Sequence, residues 1–217
     1  MAVYRLDDTI WLPKPELADD DGLLAVGGDL SVERLVLAYS NGIFPWFNPD
    51  DPILWWCPKE RFIIRPENIH ISHSMKKFMK QHKVEMKLDR DFADTIHRCR
   101  MKREFAEGTW ITDDMEKAYC ELHRYGMANS VEAYIDGELA GGLYGVCIGR
   151  CFFGESMFSD KENGSKAALI LFAQFLAERD FVMIDCQFHT DHLESMGGER
   201  ISWEEYRRLL DEGGVNA

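Results

Sequence analysis

The chain has no run of about 18 apolar residues, the length a helix needs to cross a bilayer core. Its start, MAVYRLDDTI, has neither a basic stretch nor an apolar one of the kind that directs secretion. The expectation is therefore a cytoplasmic protein. The six cysteines, Cys57, Cys99, Cys120, Cys147, Cys151 and Cys186, include no CxxC spacing. That excludes a disulfide framework and a cysteine-based zinc site and leaves buried free thiols as the reading. His189 and His192, in HTDH, stand near a ligand spacing, and two imidazoles alone do not amount to a metal site. A GxSxG elbow is also missing, so no activated serine is in view, and covalent catalysis is disfavoured. Repeats and low-complexity tracts are absent. Basic residues are outnumbered 25 to 38, giving a net charge of −13, which at first argues against a polyanionic partner.

That average hides an asymmetry. Between Lys76 and Arg103 stand ten basic residues and only Glu85, Asp89, Asp91 and Asp94, so this segment carries +6 and the rest −19. A basic island on an acidic body binds phosphates locally while the remaining surface repels them, which orients a nucleic acid. A solvated helix face is the plainer reading, and charge alone does not separate the two.

With 46% hydrophobic and 12% aromatic residues, the 217-residue chain has ample material for a core. Three zones follow one another. To about Pro66, turn signals and tryptophans punctuate short apolar runs, and Ser31 caps a helix that passes Leu35 and Tyr39 and stops near Asn41-Gly42. From 67 to 127 the pattern is helical: Met75, Phe78, Met79 and His82 recur at i, i+3, i+4, i+7, with Lys76, Lys80, Lys83 and Lys87 on another face. A further helix starts at Thr112 and ends at Gly126. The third zone switches to strands. Turns at Asp136-Gly137 and Gly149-Arg150 predict a three-stranded antiparallel meander, followed by a buried helix, SKAALILFAQFLAER, a buried strand, FVMIDC, and an amphipathic closing helix. This α/β (α+β) order is also that of acetyltransferase-type acyl-transfer folds, although order alone does not fix function.

Two of these apolar strands end in polar residues. Glu155 follows CFFG, and Asp185 with Gln187 follows VMI; alternation puts Asp185 and Gln187 on one face and Cys186 on the other. A carboxylate unpaired in an apolar setting costs several kcal/mol, so these groups should meet each other, a cation or a polar ligand. Either a buried network that anchors a loop or a site that holds an amine or guanidinium beside an apolar partner satisfies that requirement. The second suits direct attack by a bound amine on an activated ester, since an α-amine with a pKa near ~8 needs little help to become nucleophilic.

With these residues assembled, the sequence closely resembles the bacterial leucyl/phenylalanyl-tRNA–protein transferase family. The blocks that carry the resemblance are GLLAVGGDL, GIFPWF, WWCPKER, GTWIT, GGLYG, GESMFS, SKAAL and IDCQ, in family order over nearly the whole chain. The resemblance implies transfer of leucine or phenylalanine from aminoacyl-tRNA to the α-amine of proteins beginning with Arg or Lys, marking them for degradation under the N-end rule, by a monomer that needs no cofactor. It implies a small N-terminal domain, residues 1–66, and a C-terminal acetyltransferase-like (GNAT-like) domain, residues 67–217, with a mostly antiparallel sheet. Asp185 and Gln187 match the pair that assists or orients the acceptor amine, and Glu155 matches a counter-ion for its cationic side chain. Leu143, Phe152, Met157, Leu169, Phe172 and Ile184 match the pocket for the aminoacyl side chain. Tyr39, Trp46 and Trp110 match aromatic positions at the 3′ adenosine and the pocket mouth. Lys76, Lys77, Lys80 and Lys83 match the path of the acceptor stem. Asn129, Thr190 and Gly198 depart from the family's usual His, Asn and Ala, and the segment after Ile201 lacks an expected arginine.

Two other classes compete. A coenzyme A-dependent small-molecule N-acyltransferase would show a glycine-rich pyrophosphate loop, and KENGSK offers only Gly164 and a helix N-terminus. A non-catalytic RNA-binding module would use the basic island and aromatics but would leave the buried carboxylates without a purpose.

Overall fold

The structure is a computed structural model and describes residues 3–104 and 110–215. In chain order the first part holds β1 (Tyr4–Leu6), β2 (Leu23–Gly27), α1 (Val32–Ser40), β3 (Phe44–Pro45), β4 (Leu54–Trp56) and β5 (Glu60–Ile64). Then come α2 (His73–Gln81), β6 (Val84–Leu88), α3 (Phe92–Glu104) and α4 (Asp113–Arg124). The remainder is β7 (Ala128–Ile135), β8 (Glu138–Ile148), β9 (Cys151–Ser159), α5 (Gly164–Ala177), β10 (Met183–Asp185), α6 (Asp191–Ser195), β11 (Glu199–Ser202) and α7 (Trp203–Glu212). The architecture is mixed α/β, with a four-stranded sheet ordered β1-β2-β4-β3 and a seven-stranded sheet ordered β11-β5-β10-β9-β8-β7-β6. Among the described residues no helix is long and apolar enough to cross a membrane.

Local chemistry explains most boundaries. Hydroxyls of Ser31, Ser72, Thr112 and Ser202 accept from the third backbone N–H of α1, α2, α4 and α7, satisfying donors a helix start otherwise leaves open. The expected meander is present as β7, β8 and β9. Asp136 and Gly137 both adopt positive φ, 53° and 86°, as a tight two-residue hairpin turn requires. At the next turn a Cβ on Gly149 would lie 2.3 Å from the Gly213 carbonyl oxygen, so the closing end of α7 packs where only glycine leaves room.

One expectation fails in the second zone. Residues 84–88 are not helical but form β6, the edge strand of the large sheet, paired with β7. Lys83 and Lys87 therefore leave the stripe begun by Lys76 and Lys80 on α2. Asp136 causes the break: its carboxylate accepts from Lys83 N–H at 2.9 Å and meets His82 Nδ1 at 2.6 Å, holding His82 extended at φ −121°. The sequence VEMKL then alternates, with Val84 and Met86 half-buried and Glu85 and Lys87 exposed.

The large sheet separates two apolar clusters. On one side α2 and α5 cover Val131, Leu143, Phe152 and Ile184. On the other, α1, α3, α4 and α7 close over Tyr144, Phe153 and Met183 and continue into the smaller sheet through Trp55. The smaller sheet lies wholly within residues 1–66, and β5, also before residue 66, is hydrogen-bonded into the larger one.

Two irregularities position the site. β10 runs parallel to β9 but stops at Asp185, opposite Phe153, whereas β9 continues to Ser159, so the two strands part. Just there β9 carries a bulge: Tyr144 faces Ser156 and Gly145 faces Gly154, leaving Glu155 as the extra residue.

Candidate active site

The gap between the parting strands opens into a cavity of about 470 Å³. Leu143, Phe152, Met157, Leu169 and Ile184 form its apolar wall. The bulge explains how Phe152, Gly154 and Met157 come to share a face, which strict alternation forbids. Phe172 does not reach the cavity. It packs edge-on behind Phe152 with ring centres 4.7 Å apart, so it shapes the wall from outside. At the mouth Trp46 and Phe188 stand 5.4 Å apart, 42% and 39% exposed, and Trp110 completes the rim. Tyr39 is not at the mouth. It is fully buried on α1, with no ring face open to a base.

What Tyr39 does instead is donate its hydroxyl to Glu155 at 2.7 Å, next to a second buried phenol, Tyr119, that donates to the other carboxylate oxygen at 3.1 Å. The two hydroxyls also contact each other. The Gln187 side-chain amide adds a third donor, Nε2 to Oε1 at 3.1 Å. Burial raises the half-buried Glu155 carboxyl, the two phenols pull it down, Asp185 pushes it up and Arg61 lowers it, and the balance leaves it at about 7. Burial, and then the charge of Glu155, raise both phenols well above their usual range, so they act as neutral donors. Glu155 thus faces the cavity at a pKa where its charge responds to whatever binds beside it.

Asp185 faces away. Ile184 and Cys186 line the cavity, which puts Asp185 on the opposite side of β10, fully buried. The expected shared face of Asp185 and Gln187 does not form because the strand ends at Asp185. Gln187 sits in a left-handed turn at φ 57°, closed by Phe188 N–H donating to the Cys186 carbonyl at 2.7 Å. That turn carries the Gln187 side chain to Glu155. The Asp185 carboxylate accepts from Arg61 Nε at 3.1 Å and Nη2 at 2.7 Å, from Tyr206 Oη at 2.7 Å and from Gln187 N–H at 2.9 Å. Burial alone would lower the Arg61 guanidinium, but the charge and hydrogen bonds of Asp185, together with Tyr206 and Cys57, outweigh it and hold Arg61 above its ordinary value. Cys186, though in the cavity wall, has its thiol pushed up by burial and is no nucleophile.

Tyr119, Arg61, Tyr206 and Phe188 are participants that pattern reading passes over. Arg61 lies inside the WWCPKER block, and an arginine opening an apolar strand was a signal that a buried anion awaited it. Of the residues that depart from the family pattern, Thr190 lines the cavity while its hydroxyl caps α6, and Asn129 donates to Asp89 at 2.8 Å. A Cβ on Gly198 would lie 2.3 Å from the Phe62 ring, so the aromatic at 62 occupies the space an alanine would need.

The basic island divides. Arg98 pairs with Asp94 and Asp160, Lys102 with Asp160, Arg100 with Asp113 and Glu116, and Lys83 with Glu85. Lys76, Lys77 and Lys80 project from α2 into solvent, with no ion pair among the described residues. The Arg103 side chain, and Gly108 and Thr109 of GTWIT, lie outside the described residues. Near the mouth His189, Asp191 and Glu194 bring one ligand atom each within 4.8 Å of one another; the latter two are exposed, and Glu194 already pairs with His189 Nε2 at 3.0 Å.

Two family models match the chain: the leucyl/phenylalanyl-tRNA protein transferase model over residues 63–211 and the N-terminal domain model of the same transferase over residues 28–59. The leucyl/phenylalanyl-tRNA–protein transferase of Desulfatibacillum aliphaticivorans is 53% identical over 92% of this chain and 86% of its own length. That of Pseudomonas entomophila is 49% identical over 95% and 92%. Among solved structures, a conserved protein of unknown function from Bacteroides thetaiotaomicron aligns with a TM-score of 0.44 at 13% identity, covering 63% of this chain and 53% of that one. L-PGS from Bacillus licheniformis aligns at 0.43 and 11%, covering 87% and 64%. The chain belongs to the leucyl/phenylalanyl-tRNA–protein transferase family, a family of aminoacyltransferases.

Proposed function

We propose that the protein moves leucine or phenylalanine from its tRNA to the α-amine of proteins that begin with Arg or Lys, and so marks them for degradation. The observation that carries this reading is an apolar cavity, open at an aromatic mouth, with a half-buried carboxylate, Glu155, and an amide, Gln187, on one wall. Leucine or phenylalanine esterified to tRNA enters the apolar part. The wall of Leu143, Phe152, Met157, Leu169 and Ile184 makes burial of a polar side chain costly, while one methylene more or less changes binding by only ~1–3 kcal/mol. Trp46, Trp110 and Phe188 offer π-faces to the terminal adenosine. Lys76, Lys77, Lys80 and Lys83 neutralise acceptor-stem phosphates, contributing affinity more than sequence choice.

The acceptor's cationic side chain lies against Glu155 and its α-amine near the Gln187 amide. The neutral amine bonds to the ester carbonyl carbon, the bond to the ribose oxygen breaks, and the amine's proton leaves with that oxygen or to solvent. Asp185 orients and does not transfer the proton, because four donors already engage its carboxylate away from the cavity. Positioning of this kind removes several kcal/mol from a bimolecular barrier. The same reading includes a monomer in the cytoplasm and two units, residues 1–66 and 67–217. The test is incubation with labelled leucyl-tRNA and peptides beginning with Arg or Ala: label on the Arg peptide's terminus is expected, and its absence, or equal labelling of both peptides, rejects the proposal.

A further inference from the structure

The Gln187 backbone is held where few residues other than glycine go. A side-chain-bearing residue at φ 57° inside a three-residue turn is strained and persists only if its surroundings over-determine it. Asp185 supplies the holding contact by accepting the Gln187 N–H at 2.9 Å. Asp185 in turn has no freedom, since Arg61 meets both of its oxygens and Tyr206 donates to Oδ2. Arg61 is itself fixed from three further sides, by the Gly42 carbonyl at 2.9 Å and by the rings of Phe44 and Tyr206. Burial and Asp185 keep the Tyr206 hydroxyl protonated as a donor.

We infer that Arg61 and Tyr206 are positioning residues for the acceptor end of the reaction: they lock Asp185, Asp185 clamps the Gln187 amide in its left-handed turn, and that turn aims the Gln187 side chain at Glu155. This rests on the transfer reaction proposed above. Neither Arg61 nor Tyr206 lines the cavity, so their influence on transfer passes through Gln187.

A double-mutant cycle isolates that route. Wild type, Tyr206→Phe, Gln187→Ala and the double variant are compared in transfer from leucyl-tRNA to an Arg-starting peptide. Tyr206→Phe keeps the ring beside Arg61 and Trp203 and removes two hydrogen bonds to buried charges, the one donated to Asp185 Oδ2 and the one accepted from Arg61 Nη2 at 3.1 Å, so kcat is expected to fall about tenfold or more. The KM for leucyl-tRNA stays within about twofold, and in the Gln187→Ala background the same change alters kcat less than about twofold. Hydrogen exchange at the residue 187 amide, measured without tRNA, is expected to speed by about tenfold or more in Tyr206→Phe. Equal losses in both backgrounds, or unchanged exchange at 187, overturn the inference. A wild type that transfers no leucine rejects the reaction and leaves the exchange measurement to decide the clamp. If Tyr206→Phe does not fold, Arg61→Lys, which keeps a cation opposite Asp185 and gives up part of its hydrogen bonding, takes its place in the cycle.

Discussion

Glu155→Gln should make the protein more stable and less active at the same pH, and the size of the first effect follows from the site. Burial, with smaller contributions from its neighbours, moves the carboxyl from 4.5 to about 7. Each unit is worth about 1.4 kcal/mol, so ionising Glu155 in the folded chain costs up to about 3 kcal/mol more than in the unfolded one. Because the folded value is raised, this contribution is fully present below pH 4.5 and is lost as pH rises through about 7. Glutamine imitates the protonated form and never incurs the loss. Melting curves of the two proteins should therefore nearly coincide at pH 4.5 and diverge toward pH 8, with the variant higher by roughly 6–12 °C at most, from ~2–4 °C per kcal/mol. Transfer runs the opposite way. Ionised Glu155 is about a tenth of the total at pH 6 and about nine-tenths at pH 8, so kcat/KM for an Arg-starting peptide should climb through about 7. In the variant that limb disappears, leaving the acceptor amine's own titration near ~8 and a loss of about 30- to 150-fold at pH 8, the worth of a hydrogen-bonded charge at ~2–3 kcal/mol. A melting difference that does not change with pH, or a variant that retains the limb near 7, refutes the reasoning.

Changing Lys76, Lys80 and Lys83 together to Ala should reduce the slope of log affinity against log salt for tRNA by about two to three, roughly one for each phosphate no longer neutralised; an unchanged slope moves the phosphate path elsewhere. Asp185→Ala strands the buried Arg61 and should cost about 3–5 kcal/mol of stability, visible in urea unfolding, so its inactivity alone says little about chemistry; a variant as stable as wild type contradicts the network. Trp46→Ala should leave the melting temperature nearly unchanged while raising KM for leucyl-tRNA, whereas Phe172→Ala should cost about 3–5 kcal/mol through the cavity it leaves behind Phe152; reversal of that contrast in paired melting and kinetic assays would overturn the placement of both rings.

Helix starts and the meander could be read from the chain because their causes are local: a hydroxyl three residues from an N–H, a turn pair that needs positive φ. The lysine stripe could not, because Asp136, more than fifty residues on, decides where α2 stops. The polar ends of β9 and β10 stood out as sites, yet their geometry depended on two breaks in alternation, the bulge at Glu155 and the left-handed turn at Gln187. Neither break carries a glycine at the deviant position to announce it. The partner of Asp185 was equally hidden, since Arg61 lies 124 residues away.

Tyr39 belongs to a helix that precedes residue 66, and its hydroxyl reaches a carboxylate in the large sheet. The candidate site is therefore joint property. A fragment starting after residue 66 would keep the cavity's apolar wall but would lose the mouth residue Trp46, one of the two phenols at Glu155 and the guanidinium behind Asp185 all at once. Any shortened version built for engineering has to retain Tyr39, Trp46 and Arg61 along with the large sheet.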